Sequence, residues 1–153
     1  MESVWDYPRP PRLEDSARHV RVVFQGVTIA DSRCSKRVLE TSHPPVYYLP
    51  PVDIQMEYLT LKRRTTFCEW KGRAAYYDLV AGEHAASDAA WCYPDPSPRF
   101  EGIRDYVAFY PSRMEACYVD GERVRSQEGD FYGGWITSDI EGPFKGAPGT
   151  NLW

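Results

Sequence analysis

The sequence predicts a mostly β fold built from short antiparallel hairpins. Three observations carry that prediction. Three apolar runs are folded back on themselves at x-Gly turns, in HVRVVFQGVTIADS, FCEWKGRAAYYDL and ACYVDGERVRS. Other apolar runs, such as AAWCYP and YVAFYP, are short and stopped by proline. No segment sustains helical periodicity over three turns.

Taken in order, residues 1–18 are rich in proline and charge and read as an irregular arm, with Trp5 and Tyr7 available to pin it. A β core is expected over 19–126. Its first hairpin turns at Gln25-Gly26. SKRVLET reads as a strand, and PPVYYLPP as an extended aromatic segment that its prolines confine to an edge or loop. VDIQMEYL and RFEGIRDY each read as one short helical turn. The middle hairpin turns at Lys71-Gly72 and the last at Asp120-Gly121, the strongest turn signal in the chain. From 127 to 153 the chain is glycine-rich with scattered aromatics. That is too apolar for a disordered tail, and it reads as an ordered C-terminal strap held by Phe131, Tyr132, Trp135, Phe144 and Trp153. All of this fits a single domain over 1–153.

Composition excludes several function classes. With 18 Lys plus Arg against 22 Asp plus Glu, the chain lacks the basic balance of a sequence-independent nucleic-acid binder. The run Lys62-Arg63-Arg64 reads as a solvated edge. No apolar stretch approaches the roughly 20 residues of a membrane span, so no membrane partner is expected. The opening MESVWDYPRPP has neither a basic leader nor an apolar core. The expected location is therefore cytoplasmic, with Cys34, Cys68, Cys92 and Cys117 reduced. None of these forms a C-x-x-C pair, and His19, His43 and His84 share no motif with them, so neither metal nor cofactor is expected. GPFKGAPGT lacks the order of a phosphate loop and reads as a turn-rich part of the strap.

If Lys71-Gly72 is a two-residue loop, Trp70 opposes Arg73, Cys68 opposes Ala75 and Thr66 opposes Tyr77. Phe67, Glu69, Ala74, Tyr76 and Asp78 then share the other face. Cys68 as a nucleophile would need a nearby cation or base, and Lys71 as a catalytic amine would need burial. Packing of Cys68 as a small hydrophobe is the competing reading. Arg37 and Glu40 are three apart, so in a strand they face opposite sides. Either could be the polar handle of a pocket walled by Tyr47, Tyr48, Trp91 and Tyr93. Five Trp, eleven Tyr and six Phe suit such a wall, and equally suit a tyrosine-rich core.

In combination, RVVFQGVTIADS, RVLETSHPPVYYLP, FCEWKGRAAYYDL, AAWCYPDP, VAFYP and FYGGWITSDIEGPFKGAPGT resemble the family catalogued as domain of unknown function 427. The resemblance implies a β-tent, the architecture of the Mss-type zinc folds, here without the paired zinc-binding cysteines. A catalogue label attached to that family names nucleotidyltransferase activity, but its glycine–serine and paired-aspartate pattern is absent from this sequence. The family pattern C-P-x-K-G-x-A-x-Y maps onto Cys68, Lys71, Gly72, Ala74 and Tyr76, with Glu69 in place of the proline. Further matching positions are Arg37, Glu40, Pro45, Tyr48, Trp91, Tyr93 and Tyr110.

The leading expectation is a protein that binds a small polar molecule in an aromatic-lined pocket. Tyr48, Tyr76, Trp91, Tyr93 and Tyr110 would form the wall, Arg37, Glu40 and Lys71 would supply charge, and the strap would form a lid. One alternative is an enzyme using Cys68, assisted by Lys71 or Glu40. Another is an interaction module that offers PPVYYLPP to a partner chain. The sequence sets neither ligand identity nor oligomeric state.

Overall fold

A computed structural model describes residues 1–129 and 131–153 of the chain. The fold is mostly β, as the turn chemistry predicts. After a two-residue strand β1 (Glu2–Ser3) comes β2 (Arg12–Ser16), followed by the hairpin of β3 (Val20–Phe24) and β4 (Val27–Ser32). Next are β5 (Ser35–Leu39) and β6 (Val46–Tyr48). Two long strands, β7 (Leu59–Cys68) and β8 (Gly72–Ala81), lead into β9 (His84–Cys92) and β10 (Val107–Phe109). The C-terminal third holds β11 (Ala116–Val119), β12 (Glu122–Arg123), β13 (Arg125–Ser126), β14 (Trp135–Ile136) and β15 (Ile140–Glu141). Short 3-10 turns at Pro51–Asp53, Met56–Tyr58 and Pro98–Ile103 occupy the two segments read as helical turns.

The first and last predicted hairpins form with the expected turns. Gln25 and Gly26 have φ of 50° and 77°, Asp120 and Gly121 of 49° and 82°. Positive φ at both central residues is the turn whose twist matches the strands it joins. A further hairpin, at Gly82-Glu83 between β8 and β9, has no counterpart in the sequence reading. Its second strand begins HAASDA, and alanine and aspartate carry little β signal.

Two corrections concern the N-terminal arm and the segment PPVYYLPP. The arm read as irregular contains β2, which pairs with β5 from Arg12↔Leu39 to Ser16↔Ser35, and β1, which runs parallel to β15. PPVYYLPP is not an exposed docking segment: Pro44, Pro45, Tyr47, Tyr48, Leu49 and Pro50 are all buried. Its prolines do keep β6 at the end of the order β2-β5-β6.

Leu49 and Val107 exchange backbone hydrogen bonds of 2.9 and 2.8 Å. That bridge joins the sheet β2-β5-β6 to the sheet β10-β9-β8-β7, giving one continuous two-faced surface. Because strand side chains alternate, neighbours in sequence enter different cores. Tyr47, Leu79, Ala90, Cys92, Val107 and Phe109 join one cluster with Val20, Val22 and Cys117 of the β12-β11-β3-β4 sheet. Tyr48, Tyr76, Trp91, Tyr93 and Ala108 join a second, with Phe100, Ile103 and Tyr110.

Candidate functional site

The second face is not filled. A cavity of about 470 Å3 lies on it, walled by Tyr48 of β6, Tyr76 of β8, Trp91 of β9, and Tyr93 and Tyr110 beyond the strand ends. These five side chains are each 5% exposed or less, so the wall is rigid. Their rings are in contact: Trp91 and Tyr110 centroids are 4.5 Å apart, and Tyr48 meets Trp91 edge-on at 6.2 Å. Four of the five polar tips are partnered. Trp91 Nε1–H donates to Tyr48 Oη at 3.3 Å, Thr66 Oγ1 and Tyr76 Oη share a hydrogen bond of 2.9 Å, and Tyr110 O–H donates to the Phe131 carbonyl at 2.8 Å. Burial pushes the Tyr48, Tyr93 and Tyr110 hydroxyls well above their ordinary range. All three therefore remain neutral O–H groups at physiological pH.

The middle hairpin reaches the cavity through a register that differs from the expected one. Cys68 pairs with Gly72, Phe67 with Arg73, Thr66 with Ala74 and Thr65 with Ala75. The loop is therefore Glu69-Trp70-Lys71, three residues rather than two. This displaces the pairing by an odd number of positions and exchanges the faces. Cys68, Thr66 and Tyr76, expected on different sides, all line the cavity. The loop is tied down at its base: Ser97 N–H and Oγ–H donate to the Lys71 and Trp70 carbonyls at 2.9 and 2.6 Å. Lys71 is thereby held at the mouth, its Nζ 5.8 Å from the Tyr93 ring centre.

Glu40 also lines the cavity. It follows β5 on the Val38 side and pairs with Arg9 at 3.4 Å. Arg37 does not reach it. Alternation sends Arg37 to the far face, where its guanidinium is 7% exposed and bonds Glu2 at 3.1 and 3.2 Å and Glu14 at 2.8 Å. Its task there is to dock the N-terminal segment. Tyr47, also expected in the wall, lies on the filled face for the same reason and packs on Trp135 at 5.1 Å. Cys68 is a free, half-buried cysteine, and among the described residues its thiol has no hydrogen-bond partner. No group of three or more His, Cys, Asp or Glu side chains among the described residues could hold a metal ion.

The strap contributes part of the lining, through Phe131, Tyr132 and Lys145. Gly133, at φ +70°, runs so close to the wall that a Cβ there would lie 2.6 Å from Trp91 Cη2 and 2.9 Å from Tyr110 Cδ1. Only glycine permits that approach. Buried Gln127 ties the strap together. Its Oε1 accepts from Gly134 N–H at 3.1 Å, and its Nε2–H donates to the Lys145 carbonyl at 2.7 Å and to His43 Nδ1 at 3.2 Å. Lys145 N–H in turn donates to the Ser42 carbonyl at 2.8 Å.

His43 is accordingly neutral, with Nδ1 accepting and Nε2–H directed at Glu40 Oε2, 3.6 Å away. Burial, reinforced by Lys145, Arg9 and Lys71, lowers its pKa from 6.5 to about 4. His43, Gln127 and Lys145 are site residues that sequence reading does not find. They lie far apart in the chain, His43 just before the extended segment PPVYYLPP and Gln127 and Lys145 in the strap, and no local pattern links them.

The family described as Domain of unknown function (DUF427) matches residues 12–120. That span covers β2 to β11 and all five aromatic wall residues, but not the strap. No curated protein matches the chain.

Proposed function

We propose, from the premise that the chain belongs to the DUF427 family, that this protein binds a small polar molecule in the cavity above β6, β8 and β9. The observation that carries the reading is the contrast of volume and lining. About 470 Å3 is left open beside five buried aromatic side chains, within the size range of small-molecule sites. The wall supplies apolar area with neutral hydroxyl and indole tips. Glu40, Lys71 and Lys145 supply charge, and the strap adds Phe131 and Tyr132 to the lining. Arg37 has no part in this reading.

No helix among the described residues is long and apolar enough to cross a membrane. We place the protein in the cytoplasm, where the free thiols of Cys34, Cys68, Cys92 and Cys117 stay reduced.

Thermal unfolding against a library of polar metabolites tests the reading. A true ligand at about 100 times its Kd stabilises the fold by about 2.7 kcal/mol. Trp91→Ala should abolish the shift while the protein still unfolds cooperatively. A library that leaves the wild-type transition unmoved, or a hit that Trp91→Ala binds equally well, would overturn it.

A further inference from the structure

We infer that the occupant is an oxyanion carried on a planar apolar body, its carboxylate or phosphate held between Lys71 and Lys145. This inference rests on the pocket reading above and names the ligand class that the pocket would take.

The first support is where the protein's own cations sit. Lys71 Nζ lies over Tyr93 at 5.8 Å and Lys145 Nζ over Tyr132 at 5.3 Å. Arg64 lies over Tyr76 at 4.4 Å and Arg113 over Tyr110 at 5.7 Å. An empty aromatic cage attracts cations through the negative faces of its rings. Here one face each of Tyr93, Tyr132, Tyr76 and Tyr110 already carries a positive group of the chain, while Trp91 and Tyr48 carry none among the described residues. Of these cations Lys71 and Lys145 line the cavity, so a cationic ligand would meet their ammonium groups, whereas an anion would find in them its counter-charge.

The second support is charge pairing. Among the described residues, neither Lys71 nor Lys145 forms an ion pair, although the cavity contains two carboxylates. Glu40 is paired with Arg9 at 3.4 Å, and neutral His43 Nε2 lies 3.6 Å from the same carboxylate. Glu69 lies exposed on the hairpin loop at the rim. Among the described residues, therefore, Lys71 and Lys145 line the site without a paired carboxylate, in a chain whose net charge is −4.

The third support is preorganisation. The backbones that carry both lysines are held in place, Lys71 by Ser97, and Lys145 by Ser42 and Gln127. They come from different elements, the β7–β8 loop and the strap, both line the cavity, and both act electrostatically on His43. An oxyanion bridging them would tie strap to sheet. The flat body would lie against the Trp91–Tyr110 wall.

Titration with matched aryl compounds tests this, following Trp fluorescence or heat: benzoate, phenyl phosphate, benzamide and benzylamine. The acids should bind tightest and benzylamine weakest, and binding of the acids should weaken as salt is raised. The tighter of benzoate and phenyl phosphate identifies the oxyanion. Lys71→Met and Lys145→Met should each weaken the acids roughly 10- to 100-fold, the loss of one charge-assisted contact, and leave benzamide unchanged. Lys71→Arg should retain most of the affinity. Thermal unfolding of each variant confirms that it is folded. Benzamide or benzylamine binding as well as the acids would overturn the anion inference and leave the pocket reading standing. Failure of every member of the set, with the metabolite library also silent, would remove both.

Discussion

One sheet carries two unlike faces. On the side toward β3, β4 and β11, Leu79, Ala90, Val107 and Phe109 are fully buried and the space is filled. On the other side, Tyr48, Tyr76, Trp91 and Tyr93 are almost equally buried, yet they surround open volume. Burial alone therefore does not separate core from site. The chemistry of the side chains does: the filled face is mostly aliphatic and small, and the hollow face is aromatic with a polar tip on nearly every ring. A filled face maximises close contacts, while a hollow one forgoes them and keeps surface available for another molecule.

The largest expected effect lies on the filled face. Phe109→Ala should cost about 3–5 kcal/mol, a transfer loss plus an unrelaxed cavity, measured by urea unfolding. A cost below about 1 kcal/mol would mean that the two faces are packed alike.

The hollow face should be distinguished by its pH response. His43 has a native pKa of about 4 against an ordinary 6.5. Below about pH 6.5 the unfolded chain takes up a proton that the folded chain refuses. Stability contributed by this residue is therefore complete above pH 6.5 and lost as pH falls toward 4. The full loss is about 3 kcal/mol. His43→Asn, whose amide oxygen can still accept from Gln127, should flatten that slope in denaturant titrations between pH 7 and 4. An unchanged slope would assign the acid sensitivity elsewhere.

A smaller effect is expected where the strap meets the wall. Gly133→Ala places a methyl against Trp91 and Tyr110 at positive φ. It should cost about 1–3 kcal/mol and speed amide exchange over residues 131–136, with β9 unaffected. If exchange rises equally in β9, the strap and the sheet unfold together and the strap is no separate cover.

Much of this was legible in the residues. Gln25-Gly26 and Asp120-Gly121 turn where their chemistry predicts, because positive φ is a local preference that needs no tertiary partner. Both short helical turns also lie where they were read. Tyr48, Tyr76, Trp91, Tyr93 and Tyr110 stood out as aromatic residues with polar tips, but that property did not separate cavity wall from filled core. Arg37 and Tyr47 show the cost of judging by residue type alone. Each has the right chemistry for a site and sits on the wrong side of its strand.

The sequence by itself determined the β class, the positions of the glycine turns and the aromatic supply, since turn preference and period-two patterning act over a few residues. Tertiary structure decided the rest. Alternation dictates that Tyr47 and Tyr48 part company, but which of them meets the filled core depends on β3 and β11 lying over one side. The three-residue loop at Glu69-Trp70-Lys71 depends on Ser97 capturing its carbonyls, and that choice alone brings Cys68 and Tyr76 onto one face. The meeting of Lys71, His43 and Lys145 depends on Gln127 fastening the strap. Contacts between residues far apart in the chain leave no periodic trace along it, so they become visible only once the chain is folded.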